Sequence, residues 1–187
     1  MIQKQLDVPL HRQVTWWALA FPIVMIVALA IHSLYLLNWI HVLSGALWTG
    51  ADLFLGFILG PVMRRLELPQ RAALVGYLVP RTLLYFPMVS LTAGTAGWYL
   101  ATWLGMLDRS HPQFPWIVAA LILVTLMTVQ GLFVILPNSL RIWLELQRPQ
   151  PNREFIVRVN RINIVLAGVQ GVMQVAIIVV MAHFVLV

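Results

Sequence analysis

Five side chains carry the chemistry this sequence could do: His32, His41, Trp48, Asp52 and Met181. All lie in stretches oily enough to be membrane spans. Within NWIHVLSGALWTGADLFLGFILGP, residues 38–61, His41, Gly45, Trp48, Asp52 and Gly56 follow steps of four, three, four and four. That spacing keeps them on one face of a helix. Hydrocarbon disfavours a charged carboxylate at a helix centre by roughly 2.5 kcal/mol or more, so Asp52 needs a partner or a role, such as a step in a proton relay. Imidazole is the commonest protein ligand for metals and serves haem iron as well. A small-residue packing seam accounts for Gly45 and Gly56, and for the Gly56–Gly60 pair. It does not account for a histidine and a carboxylate on the same stripe.

Asp52 lies eleven residues from His41, roughly 16 Å along a helix axis, near the bilayer midplane. No basic residue shares that depth, so a neutral Asp52 is expected, hydrogen-bonded to Gln170, Gln174 or a water. Asn163, Gln170, Gln174 and Met181 fall within about 40° of one another on a helical wheel. They form a polar stripe facing the bundle, with a thioether at its outer end. His183 falls on the opposite face and should point to lipid or water. His32 shares a face with Ala28, Met25 and Ala18. The short link from Tyr35 to Asn38 makes the first two spans antiparallel neighbours, so His32 and His41 should stand at similar heights, as two ligands to one metal would. His32, His41, His111 and His183 all fall on the outer side, although a wet interfacial position explains any one of them equally well. Ser90, Gly94, Gly97 and Ala101 read as a packing face.

The elements that must hold these residues follow from composition. The chain has 187 residues, 61% hydrophobic and 10% charged, against about 25% charged in an ordinary soluble domain. It cannot cover itself with a polar surface and belongs in a lipid bilayer. The expected fold is all-α, a single polytopic membrane helix bundle over 1–187. Spans are expected at about 14–36, 39–62, 80–106, 115–143 and 160–186. Residues 62–79 read as a short amphipathic helix in the interface, and Pro22 and Pro87 fall inside spans. The first apolar run reads as a retained helix, because it leads straight into a second one. All of the twelve lysines and arginines except Arg109 fall on one side, which sets the N-terminus in the cytoplasm and the C-terminus outside. Trp39, Trp98, Trp103 and Trp116 would form the outer aromatic belt, with Trp16, Trp17 and Trp143 at the inner one. Topology and anionic headgroups explain the basic loops, so no nucleic-acid partner is expected. No internal repeat stands out, and five spans do not divide into inverted halves. The absence of cysteine excludes disulfides, thiolate metal sites and iron–sulfur clusters. Signatures for nucleotide binding, zinc proteolysis and serine hydrolysis are also absent.

The run WIHVLSGALWTGADLFLGFILGPVMRRL resembles the signature of a superfamily of small bacterial membrane proteins. It includes copper-resistance D proteins, HemJ-type protoporphyrinogen oxidases and the membrane part of a haem-linked urate oxidase. The shared elements are His41 at the outer start of a helix, Trp48, Gly50, and Pro61 before Arg64 and Arg65. RVNRINIVL, with Arg158, Arg161 and Asn163, resembles the start of the last helix in such proteins. The resemblance implies a multi-pass protein of a bacterial inner membrane, with His41 tied to haem or copper. Asp52 and His32 are not part of the pattern. The leading expectation is a haem b-binding electron-transfer protein in a respiratory or oxidase context. His41 would be an axial ligand, His32 or Met181 the second, and Trp48 would pack on the ring. Asp52 and the span-five amides would serve a compensating proton, and a quinol or an outer-side protein would exchange electrons. If the chain is an enzyme, it would be a haem-dependent membrane oxidoreductase of the HemJ kind. Copper handling through His41, His32 and Met181 is the second expectation. The third is a non-catalytic scaffold subunit of a homo-oligomer or larger membrane complex.

Overall fold

A computed structural model describes residues 9–184. Lys4, Asp7 and the expected end of the fifth span at 186 lie outside the described residues. Among these the chain is helical without strands. In order it forms α1 (Leu10–Gln13), a 3-10 turn (Trp16–Leu19), α2 (Ala20–Ala30), α3 (Leu34–Leu53), a π-helical segment (Phe54–Leu59) and α4 (Gly60–Arg65). Then follow α5 (Leu68–Trp103), α6 (Phe114–Gln130), a second π-helical segment (Gly131–Ile135), α7 (Leu136–Leu146) and α8 (Arg153–His183). Four rods are long and apolar enough to cross a membrane: Leu34–Arg65, Pro69–Trp103, Phe114–Leu146 and Arg153–His183. The protein is a multi-pass helical membrane bundle.

The first apolar stretch, Trp16–Ala30, is shorter than the expected 14–36. It stops because His32 takes a left-handed conformation (φ 51°), and Ser33 then caps α3 by accepting the Leu36 N–H at 3.3 Å. The second span therefore starts at Leu34, before the expected position 39. Pro22 sits in the first turn of α2, where its missing N–H leaves no ladder bond unmade.

The larger departure is α5. Residues 62–79 form no separate interfacial helix. Instead 62–65 end the second rod, and a capping box of Glu67 and Gln70 starts one helix that runs from Leu68 through Pro80 and Pro87 to Trp103. Side chains near the prolines add hydrogen bonds to nearby carbonyls of the same helix. Arg81 donates to Tyr77 O at 2.7 Å, Thr82 to Val79 O at 3.0 Å and Ser90 to Pro87 O at 3.3 Å.

The four rods close a ring in which α3 packs on α5, α5 on α6, α6 on α8 and α8 on α3, while α2 lies in the groove between α3 and α5. The ring carries a repeat that the sequence did not announce. In each half a long rod breaks into a π-helical segment, meets a proline, and is followed by a second long helix. The local pattern is Phe57, Pro61 and Arg65 in one half and Phe133, Pro137 and Arg141 in the other. The cause is the same in both: a proline ring clashes with the carbonyl four residues back, here Phe57 and Phe133, and widening the helix relieves it. Trp143 is not in the aromatic belt. It is buried, because α7 packs against both α5 and α8.

Candidate functional site

His41 points from α3 onto α5. Its Nδ1 lies 2.8 Å from the carbonyl oxygen of Ala93, so Nδ1 carries the proton and donates it. Its Nε2 has no hydrogen-bond partner among the described residues. The ring fits because Gly97 lacks a side chain, since a Cβ there would come within 2.8 Å of His41 Cε1. The small face of α5 thus does more than pack: Ala93 and Gly97 fix one histidine's orientation and tautomer. A carbonyl on one ring nitrogen leaves the other free to bind a metal.

The other outer histidines disperse. His32 is exposed at its left-handed turn, with Nδ1 2.9 Å from Leu29 O and its ring edge-on to Trp103 at 5.5 Å. Trp103 is six residues beyond Gly97 on α5, roughly 9 Å along the axis. His32 and His41 therefore do not share a height. The left-handed turn at the top of α2 carries His32 outward. His111 accepts the Gln113 N–H in the loop at 3.1 Å. His183 is partly buried and lies flat on the exposed Trp116 of α6, ring centroids 4.0 Å apart. Among the described residues no group of three or more histidines and carboxylates gathers as a metal site.

The second centre surrounds Asp52. Its Oδ2 accepts the Gln174 side-chain N–H at 2.9 Å and that of Gln170 at 3.5 Å. The indole of Trp48, buried one turn earlier, lies against the same carboxyl. Gln174 in turn accepts the Thr49 hydroxyl at 2.6 Å, and Gln170 accepts Gln130 of α6 at 2.9 Å. Gln130 also donates to Leu166 O at 2.9 Å. Toward the arginine-rich face Asn163 accepts from Asn138 at 3.0 Å and donates to Ser139 at 3.2 Å. The polar stripe of the last helix therefore faces inward, and three of its members meet partners on α3, α6 and α7. Gln170 and Gln174 are buried, and their hydrogen bonds offset the cost of holding amides out of water.

Gln130, Thr49, Asn138 and Ser139 were not singled out in the sequence. Gln130 had a readable signal: it is a lone amide in an apolar run and immediately precedes a π-helical segment. Asp52 likewise stands two residues before one. The glycines of the Asp52 stripe seat nothing, because a Cβ on Gly45 or Gly56 would meet nothing within 4 Å. The expected packing seam at Gly56 therefore does not form.

Fold and site together define a membrane helix bundle with one tautomer-fixed histidine near one face and a carboxyl–amide network in its interior. No protein-family model matches the chain, and none of the curated proteins or solved structures does.

Proposed function

We propose that this chain binds haem b through His41 and transfers electrons in a bacterial inner membrane. The observation that carries the reading is the Nδ1–H to Ala93 bond, which leaves Nε2 as an unpartnered ligand on a buried helix face. Gly45, one turn from His41 on the same face, has open space where its Cβ would be, so no side chain of that turn stands in the way of a ring edge there. Haem would supply one-electron chemistry there. The protein's part is to fix the ligand, exclude water and keep the Asp52 network as the place where a compensating proton is held.

Register favours Met181 over His32 as the second ligand. Counting outward from the Gln174–Asp52 bond, Met181 is seven residues along α8 and His41 eleven along α3. That is roughly 10 Å and 16 Å, each within about 20° of the bonded residue's direction. The two therefore stand about one helical turn apart in height on touching helices, whereas His32 is exposed and turned away. Trp48, expected on the ring, is buried beside Asp52. A quinol or an outer-side redox protein would exchange the electrons.

The test is a reduced-minus-oxidised visible spectrum of the purified protein. A Soret band that is lost in His41→Ala and altered in Met181→Ala supports the reading. A featureless spectrum, with His41→Ala indistinguishable from wild type, overturns it. Stoichiometric copper in metal analysis would move the same two ligands to copper handling. Instability outside a larger complex would support the scaffold role.

A further inference from the structure

The arginines at the basic face are not equivalent. Arg71 donates to the carbonyls of Leu66 and Arg64, Arg81 to that of Tyr77, and Arg148 pairs with buried Glu145 at 3.1 Å. Those cations stabilise turns and the α7–α8 connection. Arg153, Arg158 and Arg161 on α8 are exposed and have no ion pair or hydrogen bond among the described residues, yet they line one shallow hollow with Glu154 and Val157.

Their direction is set by the bundle. Asn163 is held inward by Asn138 and Ser139, and Arg161, two residues earlier, lies about 160° away round the helix. Arg161 must therefore face outward, where the apolar part of α8 begins. Val165, Gly168 and Val172 continue that face toward the bilayer interior, all exposed, and a Cβ on Gly168 would meet nothing within 4 Å. Three guanidiniums without an ion pair, offset in the hollow only by the Glu154 carboxylate, thus stand at the head of an open apolar track.

We infer that this face of α8 is a binding site for an anionic phospholipid. Arg158 and Arg161 hold the phosphodiester, Arg153 flanks it, and an acyl chain lies along Val165, Gly168 and Val172. Guanidinium suits phosphate because it can donate two parallel hydrogen bonds to it. A free phosphate would use the arginines but leave the track uncovered. A second copy docked on the same face would bring three more guanidiniums against these. The site does not depend on the haem reading.

Native mass spectrometry of the detergent-purified full chain, given equal dioleoylphosphatidylglycerol and dioleoylphosphatidylcholine, tests it. The expected result is preferential retention of phosphatidylglycerol. That preference should fall about fivefold for each arginine removed in Arg158→Gln/Arg161→Gln. It should largely persist in Arg158→Lys/Arg161→Lys, and fully in Arg109→Gln on the opposite face. Equal retention of both lipids, or an Arg109→Gln loss as large as that of the double variant, overturns the proposal. So does displacement of the lipid by millimolar inorganic phosphate, or a lipid-free dimer that the glutamine pair abolishes.

Discussion

Gln174 on α8 donates to Asp52 at 2.9 Å while accepting from Thr49 at 2.6 Å, so one buried amide ties two consecutive turns of α3 to α8. Gln174→Leu leaves the Thr49 hydroxyl without its side-chain acceptor and Asp52 with only the longer Gln170 contact and the Trp48 indole, and should destabilise the bundle by about 1 kcal/mol, the scale of polar contacts inside membranes. Asp52→Leu should cost a similar amount, and the double variant less than the sum, because the two residues share one interaction. Unfolding in mixed micelles measures all three. Strict additivity would show that the bond contributes nothing.

Gly97 is the position on which His41 depends. Gly97→Ala puts a methyl 2.8 Å from Cε1, so the ring must leave or the helices must part, at a cost of about 1–3 kcal/mol. Gly50→Ala, where a Cβ would meet nothing within 4 Å, should be neutral or stabilise by about 0.5 kcal/mol. Thermal unfolding compares them, and imidazole NMR shows whether the Nδ1 bond survives. Equal behaviour of the two variants would remove Gly97 from the site.

Pro137→Leu should let the helix after Gln130 return to α-helical bonding. Losing one π-turn rotates everything beyond it by about 100°, which takes Asn138 away from Asn163. The chain has no cysteine, so Asn138→Cys with Asn163→Cys reports this directly. Oxidative cross-linking should proceed in the parent and drop severalfold in Pro137→Leu. Unchanged cross-linking would mean that the proline does not set the register.

In the loop between α5 and α6, the Ser110 backbone N–H at 2.8 Å and its hydroxyl at 2.7 Å donate to Asp108, with a smaller contribution from His111. They hold its carboxyl below the usual carboxylate range. A depressed folded value means that the contribution to the turn is present above that range and is lost as pH falls through the folded value. The Ser110 amide resonance should therefore move only in strong acid, and Asp108→Asn should abolish the movement. A transition near neutral pH would contradict the assignment.

Asp52 meets Gln174 and Gln170 much as a buried carboxyl without a basic neighbour would require, and that much was legible because depth is one-dimensional. Hydropathy, prolines and the one-sided arginines place each residue along the membrane normal, and the wheel aims the amides of the last helix inward. The wheel fails beyond a π-helical segment, where one wide turn displaces every later side chain. Gln130 precedes such a segment, and its role was hidden because its partners, Gln170 and the Leu166 carbonyl, lie on another helix. Helix ends set by capping were equally hidden: the Ser33 cap lengthens α3 and turns His32 outward, and the Glu67–Gln70 box fuses an expected interfacial helix into α5. The sequence by itself determined the membrane bundle, its basic face and the depth at which Asp52 meets the amides of the last helix, but not the height of His32. Only the tertiary structure decided which groups meet, because hydrogen bonds and the notch at Gly97 depend on azimuth and helix contact, which height along the chain does not specify.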